Sequence, residues 1–386
     1  MINKNNFYLN TPQFKKNLGK TKKIFNYFKK SLSNFELPLF QSFEKKYIFD
    51  FNLKTINKFS KYKNIIIIGT GGSILGTKSI YSFFKSKIKK KIFFFDNLDL
   101  NLNLEFNKLK NLKNSCFIVI SKSGNTLETL TNLKNITAKT KVKNRLVIIT
   151  ELKNNSLIQI GEKFDAEIIE HKDFIAGRYS VLSEVGMFPA ALMNLSINKF
   201  RNLDNLLHNS YFVSCLIKSV ASIYTFNQKR IRNSIILNYD SRLNDLCLWH
   251  QQLVGESLGK EGKGINPSIS ICPKDHHSVL QLYLDGPKDK FFTFYSSFQK
   301  RNINRSYSKI QKTINAQLEA TKNIFNKKKI PFRHFIFDKN DESELGWFIT
   351  FSVLETILLA NLMGVNPFDQ PAVEQIKNET KKILLR

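Results

Sequence analysis

The sequence predicts an α/β protein: two doubly wound, parallel-sheet αβα sandwich domains followed by a C-terminal helical segment. Three observations lead there. Short, unbroken apolar runs recur, among them "NIIIIG" (64–69), "KIFFFD" (91–96), "CFIVIS" (116–121) and "RLVIIT" (145–150). Helix-like segments separate them. A second round of the same alternation then begins near residue 195. Strands buried on both faces read as continuous apolar runs because helices cover both sides of a parallel sheet.

In chain order, residues 1 to about 45 read as helical and peripheral, with "FNYFKKSLSNF" carrying its apolar residues on one face. The first sheet and its helices are expected over 46–190, including a helix through "LEFNKLK" and another at "TLETLTNLKNITAKT". Residues 191–342 should form the second domain. There, helical "VSCLIKSVASIYTF" precedes strand "NSIILNY", helix "LNDLCLWHQQLVGESLG", and strands "FFTFYS" and "HFIFD". From 343 the chain reads as a helical arm to its end. No low-complexity linker interrupts it, so the halves should pack closely.

Composition narrows the function classes. The formal charge of +29 favours anionic partners, but the lysines are scattered among Asn, Ile and Phe. No aromatic residues interleave with the densest run, "KSKIKKK" (85–91), so no nucleic-acid stripe is expected. No run approaches the roughly 18 consecutive apolar residues of a membrane span, and "MINKNNFYLNTPQFKKNLGK" lacks a signal-peptide core. A cytoplasmic protein without membrane or nucleic-acid partners is the expectation. Cys116, Cys215, Cys247 and Cys272 lie far apart with no CxxC, so no structural metal is expected, and no cofactor is expected either.

The chemistry concentrates in two loops. In "IIIIGTGGSILGTKSI" (65–80), Gly69, Gly71 and Gly72 permit close approach of a ligand to the backbone at a helix start. Gly69-x-Gly71 opens a dinucleotide fingerprint, and Asp96 ends a strand where a ribose-binding acid belongs; position 74, however, is Ile rather than Gly. A sugar phosphate or a merely tight turn fits this stretch as well. In "FIVISKSGNTLETL", Ser121, Ser123 and Thr126 share one turn with Gly124. Hydroxyls and open N–H groups at a helix start suit a phosphate monoester, whereas a helix cap needs only one such residue. Both loops leave parallel-type strands at the same end, which favours a sugar phosphate over a dinucleotide.

"SKSGNTLET" and "GTGGSILG" resemble the sugar-phosphate loops of the sugar isomerase domain superfamily. Four further segments resemble the glucose-6-phosphate isomerase (phosphoglucose isomerase) family: "AGRYSVLSEVGMFPAAL" (176–192), "WHQQLVGESLGKEGKG" (249–264), "DHHSVLQLYLDGP" (275–287) and "NPFDQPAVEQIK" (366–377). Their order matches that family from about residue 60 to 380. The resemblance implies an aldose–ketose isomerase of two sugar isomerase domains, working through an enediolate in glycolysis and gluconeogenesis. Such an enzyme needs a carboxylate base, a cation near the oxyanion and an acid–base pair for ring opening.

By that resemblance Glu256 is the base, with Gln252 one turn earlier on its helix to orient hydroxyls. Arg178 stabilises the enediolate, because a guanidinium keeps its charge. His277, directly before Ser278, serves ring opening, and its neighbour His276 is a bystander. Lys377 is expected at the ring oxygen or the C1 hydroxyl, which makes the C-terminal helical arm complete the active site. Ser121, Lys122, Ser123 and Thr126 hold the phosphate, and Gly72 and Ser73 line the sugar. The family commonly has Thr at the position of Asn125 and a bulkier residue at that of Gly124. It forms homodimers whose histidine segment reaches the neighbouring subunit's site, so a homodimer with shared sites is implied. A phosphosugar isomerase also acting on mannose 6-phosphate and a non-catalytic sugar-phosphate sensor are the rival readings.

Overall fold

A computed structural model of the chain describes residues 2–3, 7–33, 36–101, 104, 106, 112–297 and 305–384. Among these, ten strands form two five-stranded sheets. The first has the order β3-β2-β4-β5-β6, all parallel: β2 (Asn64–Ile68), β3 (Lys91–Phe95), β4 (Ser115–Ile120), β5 (Leu146–Thr150) and β6 (Glu167–Glu170). The second has the order β1-β10-β9-β7-β8: β1 (Ile2–Asn3), β7 (Asn233–Asn238), β8 (Asn266–Ile271), β9 (Lys290–Ser297) and β10 (Phe332–Phe337). Only β1 runs antiparallel.

The run of four isoleucines shows why such strands are apolar throughout. Ile65 and Ile67 face the central core, while Ile66 and Ile68 face an outer core with Phe117 and Leu146. Successive strand residues point to opposite faces, so burial of both faces requires every position to be apolar. β6 and β8 escaped the sequence reading. They are edge strands with polar residues, "EIIE" and "NPSISI", and an edge tolerates a proline and alternate polar positions.

The central core is continuous across the molecule, joining Ile65 and Ile118 of the first sheet to Tyr295 and Phe335 of the second. The halves therefore pack as closely as their sequence suggested. Two expectations need correction. The N-terminal segment is not merely peripheral: β1 pairs with β10, and the helix Pro12–Ser33 lies along the helix Ser210–Gln228. There Asn17 Nδ2 donates to Thr225 Oγ1 at 2.9 Å, and Phe25 and Phe28 are buried. An amphipathic helix must cover its apolar face, and the second half supplies the cover.

Nor is the C-terminal segment one arm. The helix Glu342–Met363 is apolar all round and lies in the core. By length and hydropathy alone it would pass for a membrane span, which the sequence reading overlooked, but 83% of its apolar window is buried inside the fold. It ends at Gly364, which adopts the left-handed conformation at φ 64°. Only the helix Pro371–Leu384 has the character of an arm, with no buried residue. The helix expected through "LEFNKLK" lies, apart from Leu104 and Phe106, outside the described residues.

Candidate functional site

Two helices begin at the carboxyl ends of the neighbouring parallel strands β2 and β4: Leu75–Phe84 and Leu127–Thr137. Neither has a side-chain cap. Uncapped N-termini at such a switch point leave N–H groups and positive dipole ends for an anion. Beside them Ser121 and Thr126 bring their hydroxyls within 2.8 Å of each other. Gly124 makes that loop possible, since its φ is +66° and a Cβ would lie 2.0 Å from Asn155 Oδ1. Ser123 Oγ accepts from Asn125 N–H at 3.3 Å, inside the same turn. Lys122 is turned aside: its Nζ donates to the Asp173 carbonyl at 2.5 Å and sits 3.7 Å from Glu151. Burial lowers the pKa of its ammonium.

The glycine turn does a second job. Gly72 packs so closely on Gly177 that a Cβ would lie 2.2 Å from the Gly177 carbonyl carbon and 2.4 Å from Arg178 N. Ser73 completes this turn, Gly71–Ser73. Contact between the two glycine backbones sets Arg178 against the helix Asn244–Leu258, where Trp249 Nε1 donates to the Arg178 carbonyl at 3.0 Å. At Gly71 a Cβ would lie 2.9 Å from Gln252 Nε2, so a side chain there would crowd Gln252.

Arg178 is 2% exposed, and all five of its N–H donors have acceptors. Nε donates to Ser257 Oγ at 2.9 Å; Nη2 donates to the carbonyls of Pro367 (2.5 Å) and Asp369 (3.1 Å). Nη1 makes the two longest bonds, to Glu256 Oε2 at 3.2 Å and Gln370 Oε1 at 3.4 Å. The guanidinium is thus fixed on its Nε and Nη2 sides and holds side chains more loosely at Nη1. Tyr179 backs the clamp, its hydroxyl 2.8 Å from Ser257 Oγ and 3.0 Å from the Pro367 carbonyl.

Glu256 is part-exposed and receives two donors, Arg178 Nη1 on Oε2 and Gln252 Nε2 on Oε1 at 2.9 Å. Gln252 Oε1 is buried with no partner among the described residues. A buried orphan acceptor beside a carboxylate is a natural seat for a donated sugar hydroxyl. Lys260, which helical spacing would have paired with Glu256, bonds Asp369 Oδ1 at 2.7 Å instead and so holds the Asn366–Gln370 segment to the site.

The structure therefore brings Arg178, Glu256 and Gln252 together beside Gly72 and Ser73, and it forms the Ser121, Ser123 and Thr126 loop on the neighbouring strand. It does not bring His277 or Lys377 to this cluster within one chain. His277 is exposed on the short turn Lys274–His277, and its side chain has no hydrogen bond or ion pair among the described residues. Lys377 lies on the exposed terminal helix, paired with Glu374 at 2.6 Å. Sequence reasoning missed Ser257, Tyr179, Gln370 and Lys260. Ser257 and Tyr179 adjoin Glu256 and Arg178, and the signal for all four was their place inside "GRYS", "ESLGK" and "FDQP". Among the described residues no cluster of His, Cys, Asp or Glu forms a metal site.

A family model described as phosphoglucose isomerase matches residues 53–272. The glucose-6-phosphate isomerase of Methanocaldococcus jannaschii is 33% identical over 362 residues, covering 88% of each chain. The probable glucose-6-phosphate isomerase of Methanococcus maripaludis is 32% identical over 342 residues, covering 83% of this chain and 78% of its own. Among solved structures, a hypothetical protein of Thermus thermophilus superposes with a TM-score of 0.82 at 22% identity, covering 100% of both chains. A glucose-6-phosphate isomerase of Chlamydia trachomatis superposes at 0.72 with 19% identity, over 86% of this chain and 71% of its own. The two superpositions bear on fold.

Proposed function

The chain belongs to the phosphoglucose isomerase family, and from that premise we propose that the site described interconverts glucose 6-phosphate and fructose 6-phosphate. The observation that carries the reading is the Arg178–Glu256–Gln252 cluster, set one strand away from a hydroxyl-lined loop at an uncapped helix start. The arrangement on neighbouring strand ends suits a substrate with a phosphate at one end and a reacting carbon pair at the other.

In this reading Ser121, Ser123, Thr126 and the first turn of the helix Leu127–Thr137 take the phosphate. Lys122 acts at longer range, its ammonium being held by Glu151 and Asp173. The sugar lies along Gly72 and Ser73, with one hydroxyl donating to Gln252 Oε1. Glu256 removes the C2 proton of the open aldose. The C–H electron pair becomes the C1–C2 double bond while the carbonyl π electrons move onto O1. Glu256 returns the proton to C1, O2 becomes the carbonyl oxygen, and the O2 proton ends on O1. Arg178 Nη1 exchanges its long bonds for the oxyanion formed between these steps, and the fixed charge stabilises it without accepting the proton.

His277 and Lys377 serve ring opening at the other end of the cycle. A homodimer lets the exposed His277 segment reach a partner's site; the neighbouring helix Leu280–Asp285 has no buried residue, and Leu282 is 50% exposed. Lys377 arrives as the terminal helix swings inward about its junction with the clamped Asn366–Gln370 segment. The enzyme acts in glycolysis and gluconeogenesis, in the cytoplasm.

A coupled assay of fructose 6-phosphate conversion, wild type against Glu256→Gln, tests this. The amide keeps the size but cannot take a proton, so kcat should fall by about 10²–10⁴-fold with the melting temperature preserved. A folded Glu256→Gln enzyme with most of its activity would overturn the mechanism.

A further inference from the structure

The turn Lys274–His277 has no buried residue, so packing alone gives it little rigidity. Its two histidines nevertheless point to different places. His277 faces solvent, whereas His276 is half-buried with Nε2 2.7 Å from the Tyr239 hydroxyl, ring edge against ring face. Tyr239 follows β7 and is 5% exposed. Its oxygen also lies 3.1 Å from Thr321 Oγ1, in the helix Arg305–Lys327, and Thr321 Oγ1 lies 2.7 Å from the Gln317 carbonyl.

The proton order of this chain follows from what each atom can do. The Gln317 carbonyl only accepts, so the Thr321 hydroxyl donates to it. Thr321 Oγ1 is then the acceptor for the Tyr239 proton. A hydroxyl has one proton, which leaves the Tyr239 oxygen to accept from His276 Nε2–H. Three bonds thus run in one direction from the turn into a 23-residue helix. On the other side of the turn, Asp275 Oδ2 accepts from Ile271 N–H at 2.7 Å and its Oδ1 from Ser278 Oγ at 3.3 Å, tying the turn to the end of β8. The turn is pinned from both sides, and the His277 side chain projects from it with no hydrogen bond among the described residues.

We propose that His276 and Tyr239 are positioning residues for ring opening: their hydrogen-bond chain to Thr321 holds the turn so that His277 projects at a fixed angle. This rests on the reading of His277 as the ring-opening acid–base group. His276 is then an anchor rather than a bystander.

The test compares two substrates. Fructose 6-phosphate must open its ring, whereas 5-deoxyfructose 6-phosphate lacks the ring-forming hydroxyl and is already open. His276→Ala should lower kcat on fructose 6-phosphate by roughly ten-fold or more, as loss of orientation does, with KM changed less than about two-fold and the open substrate nearly unaffected. Tyr239→Phe should do the same, and His276→Gln, which can still donate, should recover most of the rate. Equal losses on both substrates, or no loss for Tyr239→Phe, would overturn the proposal; Tyr239→Phe also decides the matter if His276→Ala fails to fold. His277→Ala separates the two readings. If it turns over fructose 6-phosphate at the wild-type rate, the role given to His277 has failed. If it is crippled while His276→Ala and Tyr239→Phe are not, only the positioning proposal has failed.

Discussion

The carboxyl ends of the two sheets share one backbone plan and differ in what fills it. In the first, β2 is followed by Gly69 and Thr70, a tight turn Gly71–Ser73, and the helix Leu75–Phe84. In the second, β7 is followed by Tyr239 and Asp240, a tight turn Ser241–Leu243, and the helix Asn244–Leu258. Register makes the match residue by residue. Thr70 and Ser121 lie two residues beyond the paired Ile68 and Val119; Asp240 and Ser297 lie two beyond the paired Asn238 and Tyr295. Both following helices start without a side-chain cap, but at the first end stand glycines and hydroxyls, and the turn Gly71–Ser73 has no side-chain cap either. At the second, the Asp240 carboxylate takes up the donors itself. Arg242 Nη2 reaches Asp240 Oδ2 at 2.7 Å, Arg242 N–H reaches Oδ1 at 2.9 Å, and the Ser297 hydroxyl donates as well. One end offers donors outward, and the other has satisfied them within the chain. Topology sets where an anion can sit in a doubly wound sheet, and side chains decide whether the seat is open.

The largest test of this contrast closes the open end by bulk. Gly72→Ala places a methyl group inside the Gly177–Arg178 backbone contact. Because backbone cannot step aside like a side chain, we expect kcat/KM to fall by at least roughly 100-fold and stability by about 3 kcal/mol, read by coupled assay and thermal melt. Next, Thr70→Asp copies the second end into the first without supplying an arginine. A carboxylate there repels a phosphate, so KM should rise by about 10–100-fold while kcat changes less. An unchanged KM would break the equivalence of the two ends.

The converse change is Asp240→Asn. Removing one partner from a mostly buried pair costs about 3 kcal/mol, visible as a lower urea midpoint, with kcat/KM at neutral pH within about two-fold of wild type because Glu256 is untouched. Burial raises the Asp240 pKa, but the Arg242 guanidinium, the Ser297 hydroxyl and the Arg242 N–H outweigh it and hold the carboxyl below its ordinary value. A depressed folded pKa contributes stability that is present above the unfolded value, about pH 4, and is lost as pH falls through the folded one. The wild type should therefore lose stability more steeply than Asp240→Asn on acidification below about pH 4. The smallest effect is expected for Ser257→Ala, which leaves Arg178 Nε without its acceptor. A loss of about 1 kcal/mol and a fall in kcat of about five-fold, with KM little changed, would mark Ser257 as part of the clamp.

Much of the fold could be read along the chain because its signals are local. β2, β3, β4, β5 and β7 fall within a residue or two of their sequence-based bounds, because each carries an unbroken apolar run: β2, β4 and β5 are buried on both faces, β7 keeps Ile235–Leu237 between polar ends, and β3, although an edge strand, keeps Ile92 to Phe95. The edge strands β6 and β8 and the two-residue β1 carry no such signal. The helix Glu342–Met363 is legible as a helix but not as core, because an all-round apolar surface says only that something must cover it.

The site divides in the same way. Short-range pattern alone was enough for the two glycine- and hydroxyl-bearing turns, the Gln252–Glu256 spacing on one helix face, and the family motifs. Packing of the whole chain was needed to bring Gly72 onto Gly177, to saturate Arg178 with acceptors from Ser257 to Gln370, and to turn Lys260 to Asp369. It also leaves His277 and Lys377 apart from the cluster in one chain. A hydrogen bond between residues 178 and 370 leaves no mark on the local pattern of either segment, because its partner is chosen by how distant parts of the chain come together.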